Sequence, residues 1–206
     1  MTMTILYPLG SGLYVNVTNK CPCRCTFCIR SHSDHILESD SLWFEGGKEP
    51  TAQQIIDEFK KADLSQYDEI VFCGYGEPLC ALDTVVEVMR FLKGFTSLPL
   101  RINTNGLSDL INNRADTALL LKGLADTVSV SLNAPDSDSY DAVTNTIYPG
   151  KAFDAVLKFA QTAKSAGIHV IFTVVDVIDK EQIERCKKLS DDMGIELRVR
   201  EYIDTY

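Results

Sequence analysis

Short apolar runs alternate along the chain with stretches in which apolar residues recur every three or four positions. The first kind reads as strand and the second as amphipathic helix. Six strands are predicted, at Leu13–Thr18, Glu69–Cys73, Leu100–Asn103, Thr127–Asn133, Ile168–Val175 and Ile195–Ile203. Between them, Thr51 and Gln54 form a capping box, and Ala52, Ile55, Ile56 and Phe59 share one helical face. A second helix carries Leu82, Val85, Val86, Met89 and Leu92 at core spacing, and a third is predicted over Asp116–Leu124. The fourth helical unit is divided by Pro149-Gly150, with Phe153, Val156, Leu157 and Ala160 on its second piece and Gly167 at its C-terminal turn. The last opens on Asp179 with Gln182 and closes at Gly194; Cys186 falls on its face with Ile183 and Met193 and reads as core.

Strand and helix in alternation predict an α/β domain with a parallel sheet. Six βα units curl into a partial (β/α)6 TIM-type barrel, expected to occupy residues 1–206 as a single domain. Period-two alternation places one side of each strand toward the helices and the other toward the lumen. Thr127, Ser129, Ser131 and Asn133 share a side, opposite Val128, Val130 and Leu132; Glu196, Arg198, Arg200 and Tyr202 oppose Leu197 and Val199. A complete TIM barrel fills its lumen with branched apolar residues. The expected lumen here is open and polar, suited to a charged small molecule.

The longest connection runs from Ile29 to Pro50, and long loops in compact domains tend to be functional. Trp43 and Phe44 within it read either as part of a site or as pins holding the loop to the domain. His32 and His35 in the same loop read as exposed polar residues.

Charge and composition narrow the partners. The 206 residues are 45% hydrophobic and 24% charged, ordinary for a globular protein. A net charge of −9 argues against extended nucleic-acid binding, which needs a basic track to neutralise phosphates. The start, Met-Thr-Met-Thr-Ile-Leu-Tyr-Pro, has no basic segment followed by an apolar one, so no signal peptide is expected. No stretch has the length of a membrane helix. Seven cysteines, four of them in one loop, suit a reducing cytoplasm and a metal site better than a disulfide scaffold.

That loop is Cys21-Pro-Cys-Arg-Cys-Thr-Phe-Cys28, directly after the first predicted strand. Cys21, Cys25 and Cys28 stand in the pattern CxxxCxxC, with Phe27 before the last. Three thiolates on a short loop can hold three irons of a four-iron, four-sulfur cluster, since such sites are built from cysteine sulfur. The fourth iron then stays open to a substrate or cofactor. With Cys23 counted, a four-cysteine zinc knuckle is the alternative, although structural zinc usually draws on two separated pairs. Cys23 otherwise reads as a bystander. The strand ends, where βα barrels keep their chemistry, carry Gly74-Tyr-Gly-Glu-Pro78, Thr104-Asn-Gly106, Ser131 and Asn133. Cys73 and Cys80 flank the glutamate; either is a hydrogen donor, a ligand, or a small buried hydrophobe.

Taken together these motifs resemble the radical S-adenosylmethionine (radical SAM) enzymes. The resemblance implies a [4Fe–4S] cluster on Cys21, Cys25 and Cys28, with Phe27 beside it, and SAM on the open iron. It implies that Gly74, Gly76, Glu77 and Pro78 grip the SAM amino group, with Tyr75 a departure from the usual pair of adjacent glycines. Thr104 and Asn105 resemble the turn after the third strand; Ser131 and Asn133 match positions reaching the SAM ribose and carboxylate, and Arg200, or else Arg198, adds a guanidinium. The implied chemistry is reductive cleavage of SAM to a 5′-deoxyadenosyl radical, which takes hydrogen from a small-molecule or nucleotide-like substrate. A flavodoxin- or ferredoxin-like protein is the implied one-electron reductant. Alternatives are an activating enzyme of the glycyl-radical type, with a protein substrate, and a metal- or SAM-binding module without turnover. Residues 16–30, Leu42-Trp43 and Val130–Pro135 look more narrowly like the TatD family-associated radical SAM proteins, implying a functional link to a TatD-type hydrolase.

Overall fold

In a computed structural model, residues 3–36 and 39–202 are described. Seven strands form one sheet in the order of the chain: β1 (Leu6–Leu9), β2 (Gly12–Val15), β3 (Glu69–Phe72), β4 (Leu100–Thr104), β5 (Thr127–Ser131), β6 (His169–Val175) and β7 (Glu196–Arg200). All neighbours from β2 to β7 are parallel. The expected parallel α/β barrel sheet is therefore present, and it is open, since β1 and β7 each have one neighbour.

The sheet also departs from the six predicted strands. β1 pairs antiparallel with β2 through a two-residue loop, Leu9 opposite Gly12, and Gly10 takes the positive φ that such a hairpin needs. Pro8 is tolerated because β1 is an edge. The predicted last strand is shorter, and its final residue, Ile203, lies outside the described residues.

The helices follow the pattern closely. α1 (Ala52–Lys61) and α6 (Lys180–Met193) both open on complete capping boxes, Thr51 with Gln54 and Asp179 with Gln182. α2 (Leu82–Phe95) buries the predicted residues. α4 (Ser137–Thr144) and α5 (Ala152–Ser165) are the two pieces separated at Pro149-Gly150. The predicted helix at Asp116–Leu124 is corrected: a short α3 (Ser108–Ile111) comes first, and Thr117–Leu121 is a 3₁₀ turn. Its α-helical start is blocked because Asp116 is left-handed, φ 55°, while the Asp109 carboxylate takes the Asp116 and Thr117 N–H groups.

Strand register arranges the lumen in rows, because paired residues of a parallel sheet face the same way. Tyr14, Val71, Arg101, Thr127 and His169 lie in one row. Asn103, Ser129, Ile171 and Glu196 form the next, then Ser131, Thr173 and Arg198, then Val175 and Arg200. The alternate residues, among them Ile70, Phe72, Ile102, Val128, Val130 and Phe172, pack into the core beneath the helices. The lumen is polar, as its pattern predicted. Among the described residues no helix is long and apolar enough to cross a membrane.

Candidate active site

The site is assembled from the connections that leave the C-terminal ends of β2, β3, β4 and β5. Past β2 the chain runs through Asn16 and Thr18 into the cysteine loop. Cys21, Cys25 and Cys28 are half-buried, whereas Cys23 is buried in the core. The Cys28 N–H donates to the Cys25 carbonyl at 3.1 Å, closing the turn before a 3₁₀ turn over Ile29–Ser31. Burial raises the pKa of the Cys28 thiol. Cys21 is raised by its contact with Cys23 and by burial. Cys23 is lowered by its bond with Cys21, but contact with Cys25 and burial outweigh this and push it up to about 12.

Cys23 faces inward. Its Sγ accepts from Asn105 Nδ2 at 3.8 Å, a link between the cysteine loop and the turn after β4. Its side chain is packed and hydrogen-bonded.

The loop after β3 is locked to the same turn. Glu77 is 3% exposed and its carboxylate accepts from Thr104 Oγ1 (2.7 Å), the Asn105 N–H (2.7 Å) and the Leu79 N–H (3.0 Å). Pro78 opens the 3₁₀ turn that follows. Gly74 has φ +62°. Gly76 needs its missing Cβ for a different reason: a methyl there would lie 2.4 Å from the Lys20 carbonyl oxygen and 2.6 Å from that of Thr18. The glycine admits protein backbone, and the Glu77 N–H donates to the Lys20 carbonyl at 2.8 Å beside it.

Burial holds the Glu77 carboxyl at about 7, against 4.5 for an ordinary glutamate; its three hydrogen bonds pull the other way and lose. The folded value lies above the unfolded one, so between these values the folded chain holds the extra proton. Stability is then lost as pH rises through that window. In the cluster-free protein, we expect unfolding free energy to fall by up to about 3 kcal/mol from this group between pH 5 and 8. Denaturant titrations at both pH values check it, with Glu77→Gln expected to remove that part of the difference.

Two elements that brace the site were not among its candidate residues. Asn16 is fully buried and ties three segments: Nδ2 donates to the Leu42 carbonyl at 2.8 Å and to that of Thr4 at 3.3 Å, and Oδ1 accepts from the Tyr75 N–H at 2.9 Å. The second is the end of α4. Arg24 N–H donates to the Thr144 carbonyl (2.9 Å), Thr26 N–H to Val143 (3.0 Å), and Ile147 N–H to Pro22 (3.0 Å). Asn145, left-handed at φ 44°, adds Nδ2 to the Arg24 carbonyl. This helix end clamps the cysteine loop.

The long loop is pinned by Leu42 and Phe44, both buried, while Trp43 is 42% exposed, edge-on to Tyr75 with Arg30 above its ring. His32 is exposed and His35 pairs with Asp34. Ser131 is half-buried in the row of Thr173 and Arg198. Asn133 is buried with φ 59°. Arg200 lies with Val175 one row beyond that of Ser131; with Phe27, Cys28, Val175 and Tyr202 it lines a pocket of about 220 Å³. Cys73 faces the lumen beside Asn103, and burial raises its pKa; burial pushes Cys80 up to about 12.

Fold and site define a class: an open α/β barrel whose strand ends carry a cysteine loop braced by a glycine–glutamate loop. The family model for the Radical SAM superfamily matches residues 15–193, and the chain belongs to that superfamily. A probable GTP 3′,8-cyclase of Methanocella arvoryzae is 30% identical over 178 residues, covering 85% of this chain and 51% of that protein. A probable dual-specificity RNA methyltransferase RlmN of Corynebacterium diphtheriae is 28% identical over 165 residues, covering 72% and 42%. The chain thus spans about half the length of the curated relatives it matches. Streptococcus suis SuiB bound to SAM shares the fold, with a TM-score of 0.71, 19% identity, and 95% of this chain matched to 41% of that one. Methylornithine synthase (PylB) does so at TM-score 0.67 and 16% identity, 93% against 53%.

Membership brings the family's cofactors, a [4Fe–4S] cluster and SAM. The residues present fit the cluster. Three half-buried thiols sit on one loop, with the donor chemistry that an iron–sulfur cluster needs. Among the described residues no three His, Cys, Asp or Glu side chains stand close enough to share one ion.

Proposed function

We propose that this chain forms the core of a radical SAM enzyme acting on a polar small molecule with an anionic group, of the nucleotide-like class. The observation that carries this reading is the lumen beneath the cysteine loop. Arg101, Asn103, Ser129, Ser131, Thr173 and Arg198 line its rows. Arg101 is held by Glu69 at 2.5 Å, while Arg198 and Arg200 stand exposed at the open end. Guanidinium groups select carboxylate and phosphate. The relative named as a GTP cyclase is consistent with a nucleotide-like substrate.

When bound, the cofactors would supply one-electron reductive cleavage of SAM. The chain's own residues hold and orient. Cys21, Cys25 and Cys28 would hold the cluster; Phe27 and Arg200 wall the pocket beside Cys28. Backbone groups of Gly74–Pro78 and the remaining lone pair of Glu77 would receive the SAM amino group, with Ser131 and Asn133 serving its ribose and carboxylate. We further propose a cytoplasmic protein of the TatD family-associated group, functionally linked to a TatD-type hydrolase. Its reductant is an acidic flavodoxin- or ferredoxin-like protein. A groove of about 530 Å³ lined by Cys21, Cys23 and Cys28 is rimmed by Lys20, Arg24 and Arg30, a basic mouth on an acidic chain.

Anaerobic protein loaded with iron and sulfide, reduced with SAM present, tests the function. 5′-Deoxyadenosine is expected, and its formation should rise at least tenfold with one of a panel of nucleotides and other anionic small molecules. Stimulation by a folded protein alone would favour the glycyl-radical alternative. Intact SAM would favour the module without turnover.

A further inference from the structure

Cys73 is a reactive side chain that the proposed function leaves without a task. It directly follows β3, where Val71 lies opposite Arg101 and Phe72 opposite Ile102. The next step of that register brings Cys73 level with Asn103, whose row continues through Ser129 to Ile171. Pleat alternation sends Phe72 into the core and Cys73 to the lumen side. Phe72 is fully buried, whereas Cys73 is only half-buried. Cys80, the other cysteine near Glu77, stands on the 3₁₀ turn after it and outside these rows. The row of Cys73 holds a second feature that calls for a ligand. Ser129 is 8% exposed, and among the described residues its hydroxyl has no hydrogen-bond partner. Native structures rarely leave a buried polar group so. Its neighbour Asn103 is fixed: Arg101 Nη1 donates to Asn103 Oδ1 at 3.3 Å, and Glu69 in turn holds Arg101. A thiol and an unpaired hydroxyl thus face one level of the lumen above an ordered floor. Cys73 also immediately precedes Gly74, the start of the glycine–glutamate loop.

We propose that the Cys73 thiol is the hydrogen-atom donor of this lumen, giving a hydrogen atom to the carbon radical left on the bound small molecule. The S–H bond of Cys73 breaks, a C–H bond forms on that carbon, and a sulfur radical remains. One electron from the flavodoxin- or ferredoxin-like reductant and one proton from water restore the thiol. The transfer runs downhill because an S–H bond is weaker than most C–H bonds. Burial raises the Cys73 pKa, so the group keeps its hydrogen at neutral pH. The substrate then loses one hydrogen atom and regains one, and each turnover draws two electrons, one for SAM and one for sulfur. The inference rests on the radical SAM reading and deepens it: the lumen is assigned a reaction that leaves the oxidation level of its substrate unchanged.

Two measurements test this, and neither needs the substrate. In the cluster-free chain, iodoacetamide at pH 8 followed by peptide mass mapping should alkylate Cys73 at least tenfold faster than Cys186, which is fully buried. Equal rates would close the lumen to this thiol and overturn the proposal. In the loaded chain, reduced with dithionite and SAM in D₂O, the 5′-deoxyadenosyl radical is itself the carbon radical in the lumen, and Cys73 carries deuterium. The wild type should then yield 5′-deoxyadenosine with one solvent-derived deuterium, and Cys73→Ala and Cys73→Ser should lower that fraction at least fivefold. An unchanged fraction in a variant that retains its iron, or no deuterium in the wild type, overturns the proposal and leaves the radical SAM reading standing. Loss of iron from both variants would place Cys73 in the cluster site and overturn it too. A wild type that leaves SAM intact overturns both readings.

Discussion

Cys28→Ala is expected to reduce 5′-deoxyadenosine formation to background and to leave the chain without a stable four-iron cluster after loading. Three thiolates on one loop are the minimum that holds three irons and keeps the fourth open. Removing one leaves two protein ligands and a second iron open to solvent. Cys28 follows the turn closed on Cys25 and lines both pockets beside the loop. Cys23→Ala is the informative partner. Cys23 is 8% exposed, packs in the core and accepts from Asn105, so its loss should cost about 1 kcal/mol of stability and leave iron content intact. Iron and sulfide analysis of both variants, with product assay, checks this. Equal iron loss in the two would favour a site that uses all four thiols.

Gly76→Ala should have the second large effect. An added methyl at 2.4 Å from the Lys20 carbonyl oxygen meets backbone, not the yielding end of a side chain. Overpacking of this kind costs about 1–3 kcal/mol, and here the upper end is expected. The displaced peptide immediately precedes Cys21, so cluster assembly should suffer with stability. Gly94→Ala is the control: nothing lies within 4 Å of a methyl there, and Gly94 sits within α2. It should gain about 0.5–1 kcal/mol from helix propensity. Denaturant unfolding of the three cluster-free chains compares them, and iron retention after loading completes the test.

Much of the architecture was legible along the chain because its signals are local. The capping boxes at Thr51 and Asp179 are formed by residues three apart, and both are present. The period-two pattern in β5 reports directly which side meets the helices, and Val128 and Val130 are in the core. Two local readings failed for physical reasons. The β1 hairpin is only four residues on each side, with a proline in one strand, so its two-residue turn was the sole signal. At Asp116–Leu124 a helix was expected, but a carboxylate from the preceding turn captured the N–H groups that an α-helix needs.

The candidate site divides along the same line. By itself the sequence determined the cysteine spacing, the glycine–glutamate loop, the strand rhythm and the polarity of the lumen, because ligand identity and pleat alternation are properties of neighbouring residues. Only the tertiary structure decided what braces those groups. Asn16 joins segments 26 and 59 residues away, and Glu77 reaches Thr104 and Asn105 across 27 and 28. The clamp from α4 meets the cysteine loop about 120 residues earlier, through backbone groups that carry no side-chain signature. It was also register that set Arg198, and not Arg200, in the row of Ser131. Hydrogen bonds between distant peptides depend on where the folded chain passes, and that is fixed only when the sheet and its helices have packed.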